Sequence, residues 1–281
     1  MKSFQQITQA NNTLLIVDAL NLAFRYKHSG ATDFAEDYLR TVNSLKKSYK
    51  ASHVIIASDQ GSSTYRKAIY PEYKQNRKDK QAEQTEAEAA AFELFFEDFL
   101  ATLEHIKANT DYPVIRFQGV EADDIAAYIV SKKKSLKFDE IWLVSSDKDW
   151  DLLIEPKVSR FSYVTRKETT FENWNDHYDW SPEDYISIKC LTGDTGDNVF
   201  GVPSIGPKRA ASLVAEYGST WDIIASIPLN GKYKYIQELN KCKDQLMLNY
   251  QLMDLVTHCE EAVGEDNCKE IDNILETYTN E

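Results

Sequence analysis

The chain has 281 residues, 42% of them hydrophobic, and a formal net charge of −13. That length buries a sizeable core in one or two domains, and no apolar run approaches the ~20 residues of a membrane span. Charge taken alone argues against a nucleic-acid binder. Met1 to Asn12 is polar and lacks the apolar segment of a secretory signal. The cysteines, Cys190, Cys242, Cys259 and Cys268, show no paired metal spacing. A cytoplasmic chain with reduced thiols is therefore expected.

In chain order, Thr13-Leu14-Leu15-Ile16-Val17 reads as a buried parallel strand ending at Asp18. Ala19 to Arg25 follows, and Tyr38 to Tyr49 has the spacing of an amphipathic helix. His53 to Ser58 is a second strand, ending at Asp59. A long insertion then opens with Arg66 to Lys80, where six of fifteen residues are Lys or Arg and tyrosines are interleaved. This is either a solvated loop or a surface for an anion. Thr85 and Glu88 have capping-box spacing. Ala91, Phe95, Phe99 and Leu103 recur every fourth residue beside Phe92, Phe96 and Leu100, the pattern of a core-facing helix.

A third strand, Val114-Ile115-Arg116-Phe117, hands over to a helix at Ile125 to Val130 through Gly119-Val120-Glu121-Ala122-Asp123-Asp124. A fourth, Glu140 to Ser146, ends at Asp147, with Asp149 two positions on; Val158 to Tyr163 is a candidate fifth. Ser181-Pro182 marks a helix start, and a domain boundary is placed there, giving 1–180 and 181–281. Gly193-Asp194-Thr195-Gly196-Asp197-Asn198 leads into Gly201 to Arg209, with a helix predicted from Lys208 to Tyr217. Two glycines bracketing an apolar pair before a basic helix start read as a helix-hairpin-helix, whose turn exposes N–H groups to a phosphate. Trp221 to Glu281 reads as helical, without a motif.

Four predicted strands are each followed by acid, and ligands of open α/β sheets bind beyond the strands' carboxyl ends. Two like charges ~4 Å apart repel by ~1 kcal/mol in water and ~4 at an effective dielectric of 20. Many such pairs in one cleft would exceed a fold's margin of ~5–15 kcal/mol. Either the acids are dispersed or cations join them, and oxygen-only ligands suit Mg²⁺ or Mn²⁺. Two such ions are the usual apparatus of phosphodiester hydrolysis. None of the five histidines, His28, His53, His105, His177 and His258, adjoins an acid motif, which disfavours a His base or His-bound zinc. There is no Gly-x-Ser-x-Gly elbow and no Walker loop. Two other readings stay open. One is a phosphomonoesterase built on Asp147-Lys148-Asp149, which leaves the basic insertion unexplained; the other is a junction binder without catalysis, which would have lost its acids.

Laid out together, Ile16 to Asn21, Tyr70 to Arg77, Gly119 to Asp124, Ser146 to Asp149 and Gly193 to Lys208 resemble the 5′-nuclease superfamily. They are most similar to the short phage-encoded flap endonucleases and the 5′→3′ exonuclease domain of bacterial DNA polymerase I. The resemblance implies a PIN-like α/β fold: a mainly parallel sheet flanked by helices, a helical arch at about 65–105, and a C-terminal helix-hairpin-helix (helix-3-turn-helix) region. It implies two or more Mg²⁺ or Mn²⁺ ions held by Asp18, Asp59, Glu121, Asp123 and Asp124 on one side and Asp147, Asp149, Asp194 and Asp197 on the other. Lys74 and Arg77 would act on the scissile phosphate. Arg25, Tyr73, Lys208 and Arg209 would contact DNA, and the backbone of Val202 and Ile205 would hold K⁺.

The implied activity is structure-specific 5′ cleavage of flaps and free 5′ ends, extending to RNA primers, by a monomeric phage enzyme in the host cytoplasm. Gln75 stands where Gly is frequent, and Phe200 and Ser204 replace a common Pro and Gly. The charge objection weakens, since setting the nine acids aside takes −13 to −4.

Overall fold

A computed structural model describes residues 12–279. The polar stretch read for a signal lies, apart from Asn12, outside them. Strand β1 (Thr13–Asp18) runs through the middle of a six-stranded sheet. The others are β2 (His53–Ala57), β3 (Val114–Ile115), β4 (Glu140–Val144), β5 (Val158–Ser162) and β6 (Lys167–Thr169), in the order β3-β2-β1-β4-β5-β6. All neighbours are parallel except β5 and β6. Leu14 to Val17 and Ile55 to Ala57 have no exposure, because helices cover both faces of a parallel sheet.

The period of two in β1 assigns the faces. Leu14 and Ile16 point to one core, built by α6 (Ala122–Ser131), α13 (Leu255–Val263) and α14 (Glu265–Thr279). Leu15 and Val17 point to the other, built by α1 (Ala19–Ser29), α2 (Ala35–Ser48) and α5 (Glu86–Asn109). A short α7 (Lys133–Leu136) follows α6.

Two strands end earlier than the sequence predicts. β3 keeps only Val114 and Ile115, because its partner β2 ends at Ala57 and the chain turns just beyond, the Phe117 carbonyl accepting from the Val120 N–H at 3.2 Å. β4 stops at Val144, where the bonding passes to side chains: Ser145 Oγ donates to Asp18, and the Ser146 N–H to Asn21.

The insertion forms α3 (Thr64–Ile69), α4 (Gln75–Ala82) and α5. The basic run is thus mostly helical, and α4 buries no residue. The capping box of α5 is present: Thr85 Oγ1 accepts from the Glu88 N–H, and Glu88 Oε2 from the Thr85 N–H. Phe95, Phe99 and Leu103 are core, as the period predicts. Ala91 and Leu100 are exposed, Ala91 on the free N-terminal part of α5 and Leu100 on its far side.

The remaining helices are α8 (Tyr185–Thr192), α9 (Pro207–Tyr217), α10 (Thr220–Ser226), α11 (Lys234–Leu239) and α12 (Lys243–Met253), which share a separate core around Leu191, Leu213, Ile223 and Leu246. Ser181 caps a turn rather than the helix, accepting from the Asp184 N–H at 3.2 Å, and α8 begins at Tyr185. Between α8 and α9 lies a two-stranded ribbon, β7 (Gly193–Asp194) and β8 (Val199–Phe200). Gly193 has φ +73°, and a Cβ there would meet the Gly201 nitrogen at 2.2 Å. Only glycine permits so close a return of the chain.

Candidate active site

Because β1, β2, β3 and β4 are parallel, their carboxyl ends share one edge. One pocket of about 340 Å³ there is lined by Asp18, Asp59, Asp123, Asp147, Asp149, Asp194 and Asp197, with Lys74 and Arg77 at its side. Residues separated by up to 179 positions in sequence therefore meet, Asp18 with Asp197.

Each acid is aimed by its element. Asp18 caps α1, accepting from the Asn21 N–H at 3.1 Å and from Ser145 Oγ at 2.7 Å. Asp59 accepts from the Ala122 N–H at 3.1 Å, tying the end of β2 to the start of α6. Trp150 Nε1–H donates to Asp123 at 2.6 Å, and Asp147 caps the turn Lys148–Leu153 by accepting from the Asp149 N–H at 3.0 Å. Asp194 accepts from the Gly196 N–H at 2.8 Å, closing the β7–β8 turn.

Crowding shows in the protonation equilibria. Burial, then Asp59 and Asp147, push the Asp18 carboxyl up to about 8. Burial and Glu121 raise Asp59, burial and Asp147 raise Asp123 well above the usual carboxylate range, and burial outweighs Lys189 to raise Asp149. Glu121 and Asp194 go the other way. Burial works to raise both, but Lys74 and Arg66 hold Glu121 low, while Lys189 and two backbone N–H groups hold Asp194 low.

Among the described residues no three of these groups stand as a finished coordination sphere. Two lysines stand among them instead. Lys74 Nζ is 2.8 Å from Glu121 Oε1 and 3.7 Å from Asp197 Oδ2; Lys189 Nζ is 2.5 Å from Asp149 Oδ1 and 3.1 Å from Asp194 Oδ2. The donor set is carboxylate oxygen with neither His nor Cys in the lining, which fits hard divalent ions.

Two expected roles are corrected. Asp124, read as a metal ligand, is fully buried, and both its oxygens accept from Arg66, at 2.7 and 2.8 Å. It faces away from the pocket because position three of α6 turns toward α3 and α12, where Arg66 Nε also donates to the Leu252 carbonyl at 2.7 Å. Tyr73, read as a DNA contact, is 3% exposed; its hydroxyl lies 3.0 Å from Glu121 and 2.9 Å from Asp197, and its ring packs in the helical core. It braces two acids rather than meeting a strand. Glu121 itself sits behind Lys74, 2% exposed, surrounded by Ser63, Arg66, Tyr73 and Lys74 donors.

Arg77 pairs with Asp197 at 2.5 Å and donates to the Gly196 carbonyl. Arg25 is exposed on α1, one turn past Asn21. Arg209 donates to the Ser204 carbonyl at 2.5 Å, and the Val202 carbonyl accepts from the Ile205 N–H at 3.1 Å. Lys208 is exposed at the start of α9.

Sequence reasoning missed Arg66 and Lys189 as members of the site's framework. Lys189 had a signal: a lone cation inside Ile186-Ser187-Ile188-Lys189-Cys190-Leu191 must find an acid if that helix is buried.

Residues 13–179 match the 5′-3′ exonuclease N-terminal resolvase-like domain, and residues 180–273 match the 5′-3′ exonuclease C-terminal SAM fold. The chain belongs to the 5′-3′ exonuclease family. Within that flap endonuclease and exonuclease family it is 45% identical over 257 residues to the flap endonuclease of Escherichia phage T5, covering 91% of this chain and 87% of that one. A T5 5′-exonuclease structure with bound zinc ions superposes with a TM-score of 0.90 at 43% identity, over 95% of this chain and 99% of the other. A variant T5 flap endonuclease in a pseudo-enzyme–product complex with DNA and metal ions gives a TM-score of 0.90 at 42% identity, over 96% and 100%. The fold expected from the exonuclease-like segments is therefore shown, and the enzyme class with it. Among the described residues no helix is long and apolar enough to cross a membrane.

Proposed function

We propose that this chain is a divalent-metal-dependent, structure-specific 5′ nuclease that hydrolyses phosphodiester bonds near single-strand/duplex junctions of DNA, including RNA-primed ends. The observation that carries this is the convergence of seven aspartates on one pocket edged by Lys74 and Arg77. Mg²⁺ or Mn²⁺ ions held by Asp18, Asp59, Asp123, Asp147, Asp149, Asp194 and Asp197, with Glu121 behind them, would supply a nucleophile at neutral pH and charge stabilisation for the leaving oxygen.

The protein's own groups do the rest. Asn21, Ser145 and Trp150 fix the carboxylates that face the pocket. Glu121 and Asp197 keep Lys74 protonated, raised above its ordinary value against the opposing effect of burial. Lys74 and Arg77 then offer fixed positive charge to the non-bridging oxygens of the scissile phosphate as negative charge develops there. Asp197 holds both, so their placement survives without substrate. Lys208, Arg209 and the hairpin backbone around Val202 and Ile205, with K⁺, would grip the duplex without reading its sequence. The protein would act as a monomer in the cytoplasm of a phage-infected bacterium.

A labelled 5′-flap duplex, with and without Mg²⁺, tests the reading. Cleavage only with the ion is expected, and no cleavage by the wild type would sink it. Asp147→Asn should abolish cleavage while DNA binding stays measurable. Lys74→Ala should slow single-turnover cleavage by about 10²–10³-fold and change binding far less; a larger effect on binding than on rate would remove Lys74 from the chemistry.

A further inference from the structure

Register gathers polar side chains on one face of the β5–β6 hairpin. Arg160 stands opposite Thr169 and Ser162 opposite Lys167, and the period of two sends all four to the same side. They line a cavity of about 220 Å³, which Ser146 and Lys148 close from the end of β4. All ten residues that line it carry a polar or charged side chain. Ligand pockets are ordinarily lined mainly by apolar groups.

The floor of this cavity is fixed. Arg160 and Asp151 are 5% and 1% exposed and joined by two hydrogen bonds. Arg160 Nη1 also donates to the Ser145 carbonyl at 2.9 Å, and Asp151 accepts from the Tyr178 hydroxyl. That pair cancels its own charge. Lys74, Lys133 and Lys189 each pair with an acid. Among the described residues Lys148 and Lys167 do not, although the chain carries −13. Three cations against one carboxylate leave two positive charges at the cavity, with His177 neutral. Ser146 Oγ accepts from the Ser162 hydroxyl at 3.2 Å and from the Val164 N–H at 3.1 Å. Both its lone pairs are then used, and its own O–H proton is left to donate.

The run from Ser146 to Asp149 is a wall between two spaces. Ser146 and Lys148 line this cavity, whereas Asp147 and Asp149 line the acid pocket, and the two share no lining residue. One side of the wall thus collects carboxylates for cations, and the other collects cations and a hydroxyl donor. A volume below the ~300–1,000 Å³ of drug-sized pockets suits a compact group. Ammonium point charges beside a free O–H are the groups that hold a phosphate.

We propose that this cavity is an anion site, separate from the acid pocket, that binds a phosphate group through Lys148, Lys167 and the Ser146 hydroxyl, above the Arg160–Asp151 floor. The site stands independently of the nuclease reading, because neither nucleic acid nor a divalent ion takes part in it.

Calorimetric titration of the full chain with sodium phosphate in EDTA, at an ionic strength held constant with chloride, tests it, and a 5′-mononucleotide forms a second arm. One saturable site is expected for the wild type. Lys148→Ala and Lys167→Ala should each weaken binding by about tenfold, the loss of one charge-assisted contact, and the double variant should abolish saturation. Both lysines are exposed, so the unfolding midpoint without phosphate should stay near wild type. Lys74→Ala should bind phosphate as the wild type does. Equal affinity for the two ligands would show that the phosphate group alone is held; tighter binding of the mononucleotide would show that a phosphate monoester is the better occupant, and binding of the inorganic ion alone that the site is closed to esters. In each case the phosphate group is the ligand. No saturable binding by the wild type, or wild-type affinity in both lysine variants, would overturn the site. So would loss of binding in Lys74→Ala alone, which would move the anion to the acid pocket. With no DNA or Mg²⁺ in the titration, its failure would leave the nuclease reading standing, and a failed flap cleavage would leave the anion site standing.

Discussion

At the residue scale, the acids divide by what they face. Arg66 and Asp124 are 3% and 0% exposed and joined by two hydrogen bonds. Removing one partner strands the other's charge in the interior, so Asp124→Ala and Arg66→Ala should each cost about 3–5 kcal/mol. Urea midpoints at constant m-value check this. A loss below about 1 kcal/mol would mean the pair is not buried as described. Asp124 shows why sequence stopped short here. Glu121, Asp123 and Asp124 share one helix start and one chemistry, and only the helical rotation of about 100° between Asp123 and Asp124 sends one to the pocket and the other to Arg66. The seven aspartates that line the pocket could be read as a set because each follows a strand or lies in the Gly193–Asp197 turn. Tyr73 was not, because nothing local says that an aromatic in a basic run points inward.

At the scale of elements, the parallel strands were the most legible part. Their apolar runs are continuous, and their acids sit directly after them. β3 was overread because an apolar run cannot show where the strand it pairs with ends. The β7–β8 ribbon was read only as a glycine-rich turn; its pairing depends on the approach of Gly193 to Gly201 across eight positions. Gly193→Ala should therefore strain the ribbon twice, through its φ of +73° and through contact at 2.2 Å with backbone. The expected cost is above ~1 kcal/mol, with cleavage reduced more than stability because Asp194 and Asp197 move. Thermal unfolding and single-turnover cleavage measured on the same preparation would separate the two; wild-type cleavage would show that the ribbon does not place these acids.

For the whole molecule, the raised carboxyls make ion binding and proton release one event. The folded Asp18 carboxyl titrates at about 8 against an ordinary value of 3.8. The folded state thus holds a proton more tightly than the unfolded chain, so without divalent ions stability should fall as pH rises from about 4 through 8. Divalent ions bound by these carboxylates would replace that proton and reverse the trend. Added Mg²⁺ is expected to raise the unfolding midpoint more at pH 8.5 than at pH 6.5, and cleavage should rise over the same interval. Equal stabilisation at both pH values would show that no acid releases a proton on ion binding.

The docking of α13 and α14 on α6 carries a consequence for synthesis. Leu255, Cys259 and Ile271 complete the packing around Ala126 and Ile129, on the helix that presents Asp123. A polypeptide still emerging from the ribosome at residue 250 already contains every acid of the pocket but lacks the buttress behind that helix. Hydrolytic competence should therefore appear only once α13 and α14 have emerged and docked, and nascent chains halted before Asp254 should be inert toward nearby nucleic acid while those halted after Thr279 and extruded by a linker should cut.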